Sequence, residues 1–458
     1  MGPEWVAIIA LIALFVIGTV LPINMGALAY AAAWLVGMFS MNLSEKEILN
    51  GISADLVLTL IGVTYLFAIA RQNGTVDLIV RRAVASVGGR VALIPWVMFG
   101  VTALMTAIGA ASPAACAIVG PIALGFAARY RINPLMMGMF VVHGAQAGGF
   151  SPISIFGTVT NSVMRRAGFA DAPLLIFFAS LAINAALAVV LFVLLGGRRL
   201  VTLRIDRTGE LVLTGGGAAA AASGTASAVR DRSGRADRHS GTGAGPTVGV
   251  PADEDHPGTT REHVLTLLAF AAVAVVALGF DKNIGFTAIT AAVLLSILNP
   301  GSYKDTVKQI AWPTVLLVAG VSTYATVLTT AGSPEFIGNW AAGLGAVAIG
   351  ALILCYVGGI VSAFASSTAL LPVIIPIAIP LVVQGGLSPG LFVAALAISS
   401  TIVDVSPFST NGALILANRP DTVDERTFYR QILTYATVIT LLGPLLVWAA
   451  LVLPGVIA

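Results

Sequence analysis

The sequence predicts an all-α polytopic membrane protein built as an inverted repeat, with about ten transmembrane helices, two re-entrant hairpins and two discontinuous helices. Of its 458 residues, 57% are hydrophobic and only 10% are charged, whereas soluble domains carry about a quarter charged residues. Apolar runs of about 18 residues or more recur along the chain and are long enough to cross a bilayer. The motif SPISIFG at 151–157 also returns as SPFSTNG at 406–412.

The apolar runs predict two sets of five spans. We place them at 5–21, 24–41, 55–72, 134–166 and 172–197 in a first repeat (1–207), and at 262–280, 284–299, 312–331, 389–417 and 427–453 in a second repeat (262–458). The first run lacks a basic region and a small-residue cleavage site, so we interpret it as a retained span. The segment 208–261 is rich in Ala, Gly, Ser and Arg without apolar periodicity, which predicts a disordered linker.

A short amphipathic piece and a long apolar segment precede the fourth span of each repeat. The short pieces are 76–88 and 333–342, and the long segments are 91–130 and 345–385. Each long segment has small or polar residues at its centre, AASPAA at 110–115 and ASSTA at 365–369. A hairpin that turns back inside the membrane needs such a centre, whereas a continuous span does not. Two separate spans remain the alternative for each segment.

The two repeats match in Ser, Pro and Gly residues that chance rarely aligns in order. At an offset of 255 the aligned pairs are Ser112 with Ser367, Pro121 with Pro376, Pro134 with Pro389, Ser151 with Ser406, Ser154 with Ser409 and Gly157 with Gly412. Upstream, at a slightly larger offset, Gly26 pairs with Gly285 and Gly62 with Gly320. These matches indicate an internal duplication.

The distribution of basic residues predicts the orientation. With five spans per repeat, the two repeats must cross the membrane in opposite senses. If the N-terminus is outside, the inner loops hold fifteen Lys and Arg residues and the outer loops hold four, as the positive-inside rule requires. The linker is then cytoplasmic and the C-terminus is outside. A duplication of inverted topology is the architecture of secondary transporters.

The two repeated motifs fall near the middle of spans 134–166 and 389–417. Inside hydrocarbon, irregular backbone survives only where it lines a wet cavity or is packed within protein. Proline and glycine should therefore break both helices. A broken helix exposes N-terminal amides, which attract anions, and free carbonyls, which coordinate cations. The alternative is a pair of proline kinks whose serines bond to their own helices.

These breaks and the hairpin centres predict a composite site at mid-membrane. The substrate-binding candidates are Ser112, Thr158, Asn161, Ser366, Ser367, Thr368, Ser409, Thr410 and Asn411. The candidates for binding a coupling cation are Ser112, Ser151, Ser154, Gly157, Ser367, Asp404, Ser406 and Ser409. Their oxygens suit Na⁺ and their N–H groups suit carboxylates. Because these stretches contain no Lys or Arg, a bound anion needs cations or helix termini beside it, which favours cation coupling.

Two ionisable residues lie within predicted spans. Asp404 is an intramembrane carboxylate and hence a candidate cation ligand or proton carrier, although a structural role, with Thr401 as one possible partner, is the alternative. His143 could carry protons, but we favour a histidine whose hydrogen bonds are satisfied between helices. The run GAQAGG at 144–149 would allow helices to pack closely.

Other classes of function find little support in the sequence. There is no H-E-x-x-H pattern and no Ser/His spacing typical of an enzyme. The two cysteines, Cys116 and Cys355, form no metal or disulfide pattern. The net charge of +3 comes mainly from arginines at span ends and in the linker, so it implies no nucleic-acid partner. We expect no cofactor other than Na⁺ or H⁺ as coupling ion, and a channel or an exporter of another anion remains the alternative.

Several long segments resemble a known family. They are VTYLFAIARQNGTVD, IPWVMFGVTALMTAIGAASPAACAIVGPIAL, VHGAQAGGFSPISIFGTVTN, SAFASSTALLPVIIPIAIP and TIVDVSPFSTNGALILAN. They are similar to bacterial malonate/dicarboxylate carriers of the MatC type, within the superfamily that includes the divalent anion/sodium symporters. The likeness covers nearly the whole chain except 208–261.

This resemblance implies a homodimer in the bacterial inner membrane, with a scaffold domain and a transport domain that moves as an elevator. It also implies Na⁺- or H⁺-driven uptake of a small dicarboxylate, malonate ahead of succinate or malate. The wider symporters carry Ser-Asn-Thr at both hairpin tips, whereas this chain has Ala111-Ser112-Pro113 and Ser366-Ser367-Thr368. Their Gly-Ser-Pro-Pro-Asn break resembles 157–161 here, and Asn411 is the counterpart of its asparagine in the second repeat. These departures leave the stoichiometry and the donors to the substrate open.

Overall fold

The computed structural model describes residues 2–21, 23–205, 211–213, 260–280, 282–342, 347–364, 367–420 and 422–454. Apart from one short β-ribbon, the regular structure of these residues is helical. Eight of the described helices are long and apolar enough to cross a membrane. Six of them are predicted spans and two are arms of the predicted hairpins. The prediction of an all-α polytopic membrane protein is therefore confirmed.

The helices of the first repeat are α1 (Pro3–Val20), α2 (Met25–Met41), α3 (Glu45–Leu49), α4 (Ala54–Gln72), α5 (Thr75–Ala85), α6 (Leu93–Ala107), α7 (Ser112–Arg129), α8 (Pro134–Gly148), α9 (Ile155–Arg166), α10 (Pro173–Leu194) and α11 (Gly197–Leu200). After them, β1 (Leu203–Ile205) pairs with β2 (Leu211–Leu213) in an antiparallel ribbon. The predicted hairpin 91–130 corresponds to α6 and α7, and the predicted broken helix 134–166 corresponds to α8 and α9.

The helices of the second repeat are α12 (Thr260–Gly279), α13 (Ile284–Leu298), α14 (Trp312–Thr330), α15 (Ser333–Ala342), α16 (Val347–Phe364), α17 (Ser367–Gly385), α18 (Pro389–Ile402), α19 (Thr410–Ala417) and α20 (Glu425–Leu451), with a 3₁₀ turn at Thr306–Gln309. The hairpin 345–385 corresponds to α16 and α17, and the broken helix 389–417 to α18 and α19. Of the predicted linker 208–261, only β2 and the first two residues of α12 lie among the described residues.

The tip of the first hairpin lies at the level of the break between α8 and α9. Helices α8 and α9 have 15 and 12 residues, so the break between them divides a path of about 40 Å near its middle. The hairpin tip lies at this level, because Ser151 Oγ in the break donates to Ala107 O at the end of α6, at 2.7 Å. Both arms therefore run from the tip towards one membrane face, as a re-entrant hairpin requires.

Glycine contacts show how the two repeats pack on each other. A Cβ on Gly320 of α14 would lie 2.0 Å from Gly26 O of α2, so only glycines permit this approach. In the same way, a Cβ on Gly62 of α4 would lie 2.6 Å from Gly285 O of α13. Because Gly26 corresponds to Gly285 and Gly62 to Gly320, the two contacts are reciprocal. Such reciprocity is the property of two units related by a two-fold axis.

Helix ends that the predicted topology assigns to one side are indeed close together. On the predicted outer side, Arg165 at the end of α9 pairs with Asp55 at the start of α4 (Nη2–Oδ2 3.4 Å), and Asn283 before α13 donates to the same carboxylate. On the predicted inner side, His263 Nε2 of α12 lies 2.8 Å from Asn73 O after α4. These contacts agree on which ends share a face, and the assignment of that face to the outside stays a prediction.

The helices form two packed bodies. In one, α2 packs on α14, α4 packs on α13 and α14, and α1 and α12 lie alongside. In the other, α8 packs on α6, α7 and α10, α18 packs on α16, α17 and α20, and α10 contacts α18. The bodies meet where α14 and α15 lie along α17 and where α4 contacts α9. The hairpins and the broken helices therefore belong to one body.

Candidate functional site

The two breaks are built by the same local hydrogen bonds. Ser154 precedes α9 and Ser409 precedes α19. The Oγ of each accepts the backbone N–H three residues later at 3.4 Å and donates to the carbonyl three residues earlier at 2.7 Å. A serine in this position caps the N-terminus of the helix that follows. The second helical segment of each span therefore starts anew after an irregular stretch.

One glycine makes each break tight. A Cβ on Gly157 would lie 2.1 Å from Ser151 O, and a Cβ on Gly412 would lie 2.0 Å from Ser406 O. No side chain fits at these distances, so the turn that precedes each helix folds directly over the glycine. Residues 149–154 and 403–409 form turns and bends between separate helices. The structure thus has breaks at both motifs, not continuous helices with proline kinks.

The tip of the first hairpin contacts both breaks. On one side Ala107 O accepts from Ser151 Oγ of the first break, at 2.7 Å. On the other side Ser112 Oγ accepts from Asn411 Nδ2 of the second break, at 2.8 Å. Ala107 and Ser112 are five residues apart, a path of at most about 18 Å. The structure therefore brings the two breaks to opposite ends of one hairpin tip.

A buried polar cluster joins this tip to the second break. Asn411 is fully buried and Asp404 is 8% exposed. The two hydrogens of Asn411 Nδ2 are both used, one to Ser112 Oγ and one to Asp404 Oδ2, each at 2.8 Å. The remaining amide atom, Asn411 Oδ1, is buried without a hydrogen-bond partner. Thr401, which we considered as a partner of Asp404, donates to carbonyls of its own helix.

This cluster has the chemistry of a cation site. It combines a carboxylate, an unpaired amide oxygen and a hydroxyl, which are oxygen ligands of the kind that hard cations prefer. Within the described residues no ion pair reaches Asp404. Leaving a buried acceptor unsatisfied costs about 1–3 kcal/mol. A cation bound at this cluster would give Asn411 Oδ1 the partner that it lacks.

The second hairpin tip is placed near the first break. Helix α17, which begins at Ser367, packs against α9. The Ser367 hydroxyl bonds to the Ser362 hydroxyl of α16 at 2.7 Å, inside its own hairpin. Thr368 is half-buried. The candidate Ser366 lies outside the described residues.

Two other substrate-binding candidates line a separate cavity of about 540 Å³ on the predicted outer side, which we call the outer cavity. Thr158 and Asn161 face it together with Asp55, Arg165, Asp171 and Lys282. The Asn161 amide is locally satisfied, since Nδ2 donates to Gly157 O at 2.7 Å and Oδ1 accepts from Ala172 N at 2.9 Å. Thr158 and Asn161 thus do not contact the Asp404 cluster.

The charged lining of the outer cavity was missed by the sequence analysis. Arg165 bonds to Asp171 at 2.8 Å and to Asp55 at 3.4 Å, and so connects the two bodies of the protein. The available signal was an aspartate at the start of two spans together with two arginines at the end of a third. In the prediction of the orientation, these arginines count only as loop charges.

A second cavity of about 350 Å³ opens beside the second break on the predicted inner side, and we call it the inner cavity. Ser409 and Thr410 line it, and Phe364 of the second hairpin stacks on Phe408 with ring centroids 5.8 Å apart. Asn24, the counterpart of Asn283, also lines this cavity and donates to Pro313 O. No charged side chain is among the described residues that line it.

His143 has both ring nitrogens bonded within the protein. Nδ1 lies 2.9 Å from Asn184 Oδ1, and Nε2 lies 2.6 Å from the Tyr435 hydroxyl. Because Asn184 Nδ2 donates to Ser180 O, its Oδ1 accepts from Nδ1–H, and Tyr435 donates to Nε2. The geometry therefore agrees with a histidine satisfied between helices. The glycines that follow allow close packing, since a Cβ on Gly148 would lie 1.8 Å from Ala103 O of α6.

Two family models match separate parts of the chain. The model of the dicarboxylate carrier protein MatC N-terminus matches residues 1–149, and the model of the citrate transporter family matches residues 282–457. The resemblance to MatC-type carriers is thereby confirmed. No curated protein sequence matches the chain significantly.

Among solved structures, the chain is similar to the Alcanivorax borkumensis YdaH transporter, whose crystal structure reveals an unusual topology. The identity is 14%, the match covers 88% of this chain and 86% of that chain, and the TM-score is 0.53. At this identity the likeness shows the fold, and it agrees with a polytopic helical membrane protein.

Proposed function

We propose that this chain, whose two ends match families of carboxylate transporters, is a secondary active transporter. It moves a small dicarboxylate, malonate ahead of succinate or malate, by symport with Na⁺ or, as the less favoured coupling ion, H⁺. Both matching families are transporters and not enzymes. The observation that carries the proposal is the buried Asp404–Asn411–Ser112 cluster, which joins the second break to the first hairpin and leaves one amide oxygen free.

The charge of Asp404 gives the reason for coupling. The hairpin tips and breaks contain no Lys or Arg, so a bound dicarboxylate would face an uncompensated carboxylate. At about 6 Å and an effective dielectric constant of about 20, two unit charges repel by about 3 kcal/mol. That energy corresponds to about 100-fold in affinity. A Na⁺ ion or a proton on Asp404 removes the repulsion, and the anion then binds only with its coupling ion.

Helix N-termini would supply donors to the substrate. Helices α7, α9, α17 and α19 all begin at a hairpin tip or a break, and a helix N-terminus carries about half a positive charge with free N–H groups. Helix α7 has no side-chain cap at its first turn. Pro113 has no N–H group, and the Ala115 N–H bonds to Ala111 O. The N–H groups of Ser112 and Ala114 are therefore the ones that would bind a carboxylate.

The two packed bodies support the elevator mechanism that the resemblance implies, and the homodimer rests on the resemblance alone. The body with α6–α10 and α16–α20 would move, while the body with α1, α2, α4 and α12–α14 would serve as the scaffold. Helices α14 and α15 pack along α17, whereas their counterparts α4 and α5 have no comparable contact with α7 among the described residues. The second hairpin therefore has more contact with α14 and α15 than the first hairpin has with α4 and α5. Such a difference is expected of a state that faces one side of the membrane.

The test is uptake of radiolabelled malonate into proteoliposomes with an imposed Na⁺ or H⁺ gradient. We expect uptake to follow one gradient and to fall about 100-fold or more in Asp404→Asn. Asp424→Asn serves as the control, because that carboxylate caps α20 outside the membrane and should leave uptake unchanged. Uptake that ignores both gradients, or that survives in Asp404→Asn, would contradict symport. Saturation of uptake, together with no ion conductance, would exclude a channel.

Citrate is the main competing substrate, because the second repeat matches a citrate transporter family. Competition with malonate, succinate, malate and citrate ranks the substrates in the same assay. Stronger inhibition by citrate than by any dicarboxylate would replace the dicarboxylate proposal with a tricarboxylate one. An outward gradient of the coupling ion in preloaded vesicles shows whether the protein also runs as an exporter.

A further inference from the structure

An apolar groove of about 710 Å³ runs between α10 and α20, away from the hairpins and breaks. Both helices pack on α8 and α18, and the groove lies between them. Its walls include Val190 and Leu194 of α10 and Val438 and Leu446 of α20, which are 50%, 74%, 45% and 57% exposed. This surface is therefore open to whatever surrounds the helices.

The groove changes from apolar to polar along its length. Its α20 wall follows one helical stripe, from Thr427, Arg430 and Gln431 at one end to Leu442 and Leu446 at the other. The apolar part of this stripe, from Tyr435 to Leu446, extends about 17 Å. One leaflet of hydrocarbon is about 15 Å thick, so the apolar part is long enough for an acyl chain of one leaflet.

A second cavity of about 470 Å³ continues from the polar end and shares Leu195 with the groove. Arg131 and Arg199 line this second cavity, and Arg430 lines the polar end of the groove beside it. The ion pairs found among the described residues involve none of these three arginines. Arginines without ion pairs, one at the polar end of an apolar groove and two in the adjoining cavity, have the charge that complements an anionic phospholipid headgroup.

We propose that this groove binds an anionic phospholipid of the leaflet on the arginine side. Its phosphate lies among Arg131, Arg199 and Arg430, and one acyl chain follows the groove between α10 and α20. Basic pockets between transmembrane helices are typical sites for such headgroups. A second copy of this chain would bring three further arginines to the same mouth, so charge complementarity favours the lipid. This site does not depend on the proposed transport function.

The groove also adjoins the body that carries the breaks. Tyr435 lines it and bonds through its hydroxyl to His143 of α8. His143 lies five residues before the end of α8, where the first break starts. A lipid in the groove would thus hold α10 and α20 against the helix that leads to the first break, and should stabilise the folded protein.

The experiment compares phosphatidylglycerol with phosphatidylcholine of the same acyl chains, added to the delipidated full-length protein in detergent. Native mass spectrometry counts the retained lipids, and thermal unfolding gives Tm. We expect one retained phosphatidylglycerol and a Tm rise that phosphatidylcholine does not give. Arg430→Gln should weaken this binding about five-fold. Arg426→Gln, one turn earlier on α20 and outside the groove lining, should leave it unchanged.

A second variant fills the groove. Val438→Trp should remove the retained phosphatidylglycerol, and Arg430→Gln still tests the site if this variant does not fold. Equal effects of the two lipids, or equal effects of Arg430→Gln and Arg426→Gln, would overturn the proposal. So would disulfide formation between two copies of Leu194→Cys in a bilayer, since it would make the groove a contact between subunits.

Discussion

The two broken helices have the same backbone turn at their breaks, but the residues at two equivalent positions are polar in one and apolar in the other. At the offset of 255, Gly149 of the first break corresponds to Asp404 of the second, and Phe156 corresponds to Asn411. In the second break the Asn411 amide bonds to the Asp404 carboxylate. In the first break the Phe156 ring covers Gly149 so closely that a Cβ there would lie 2.8 Å from its Cδ2 atom. A polar pair and an apolar pair thus occupy equivalent places.

The comparison separates what a duplication must keep from what it can change. Both breaks need their serine cap and their tight glycine, because the backbone cannot turn without them. The charge is needed only once, since a second buried carboxylate nearby would add repulsion without adding a turn. We infer that the repeats retained the break and diverged in the side chains that fill it.

The outer and inner cavities also differ in polarity, because, in the part of the chain that the structure describes, one is lined by charged side chains and the other is not. Asn283 at the outer cavity donates to the Asp55 carboxylate, whereas its counterpart Asn24 at the inner cavity donates to Pro313 O. Arg165 adds an ion pair at the outer cavity, and the described lining of the inner cavity is uncharged. Among the described residues that line the two cavities, charged side chains therefore connect the two packed bodies at the outer cavity and not at the inner one.

The largest expected effect tests whether both breaks depend on the same tight backbone turn. Gly157→Ala and Gly412→Ala should each lower the free energy of unfolding by about 3 kcal/mol or more, because the new methyl group would overlap a carbonyl oxygen. Thermal unfolding of purified protein measures both. Gly100→Ala is the control, since no other group lies within 4 Å of a Cβ there. A loss confined to one of the two breaks would show that their backbones are not equivalent.

The next effect tests the difference between the breaks. Asn411→Leu removes a donor from Asp404 and the free oxygen beside it, so the concentration of coupling cation for half-maximal uptake should rise about 10- to 100-fold. Phe156→Leu, at the equivalent place, should lower stability while leaving the cation dependence unchanged. Uptake titrated with the cation, alongside Tm, separates the two results. An equal shift of the half-maximal cation concentration in both variants would show that the second break has no special role in cation binding.

The smallest effect concerns the two cavities. Asp55→Asn should change stability by less than about 1 kcal/mol, because the side chains of Arg165 and Asp55 are 49% and 38% exposed and water screens such pairs. The KM for uptake should change less than about five-fold, and the change should shrink at high salt. Asp305→Asn, which breaks an exposed pair with Lys308 remote from both cavities, is the control. A change above ten-fold would make the ion pair a principal determinant of transport.

Much of the site's framework follows from sequence patterns, because breaks and caps are local. Ser154, Gly157, Ser409 and Gly412 act within six residues of their own positions, so their spacing is readable along the chain. The partner of Asn411 is not readable in this way. Ser112 is 299 residues away, and only the packing of α7 on α19 brings them together. The placement of Thr158 and Asn161 in the outer cavity depends on the direction of α9 against α4 in the same manner.

By itself, the sequence determined that the chain is a polytopic membrane protein, that it is duplicated, and where its helices break. These features depend on hydropathy, proline, glycine and serine caps, which act over a few residues or along one helix. Only the tertiary structure decided that the first hairpin contacts both breaks and that one cavity is charged. It also decided that Asp404 lies in a cluster with the Asn411 amide and the Ser112 hydroxyl. Those facts depend on which helices pack against each other, and local sequence patterns do not show contacts between residues hundreds of positions apart.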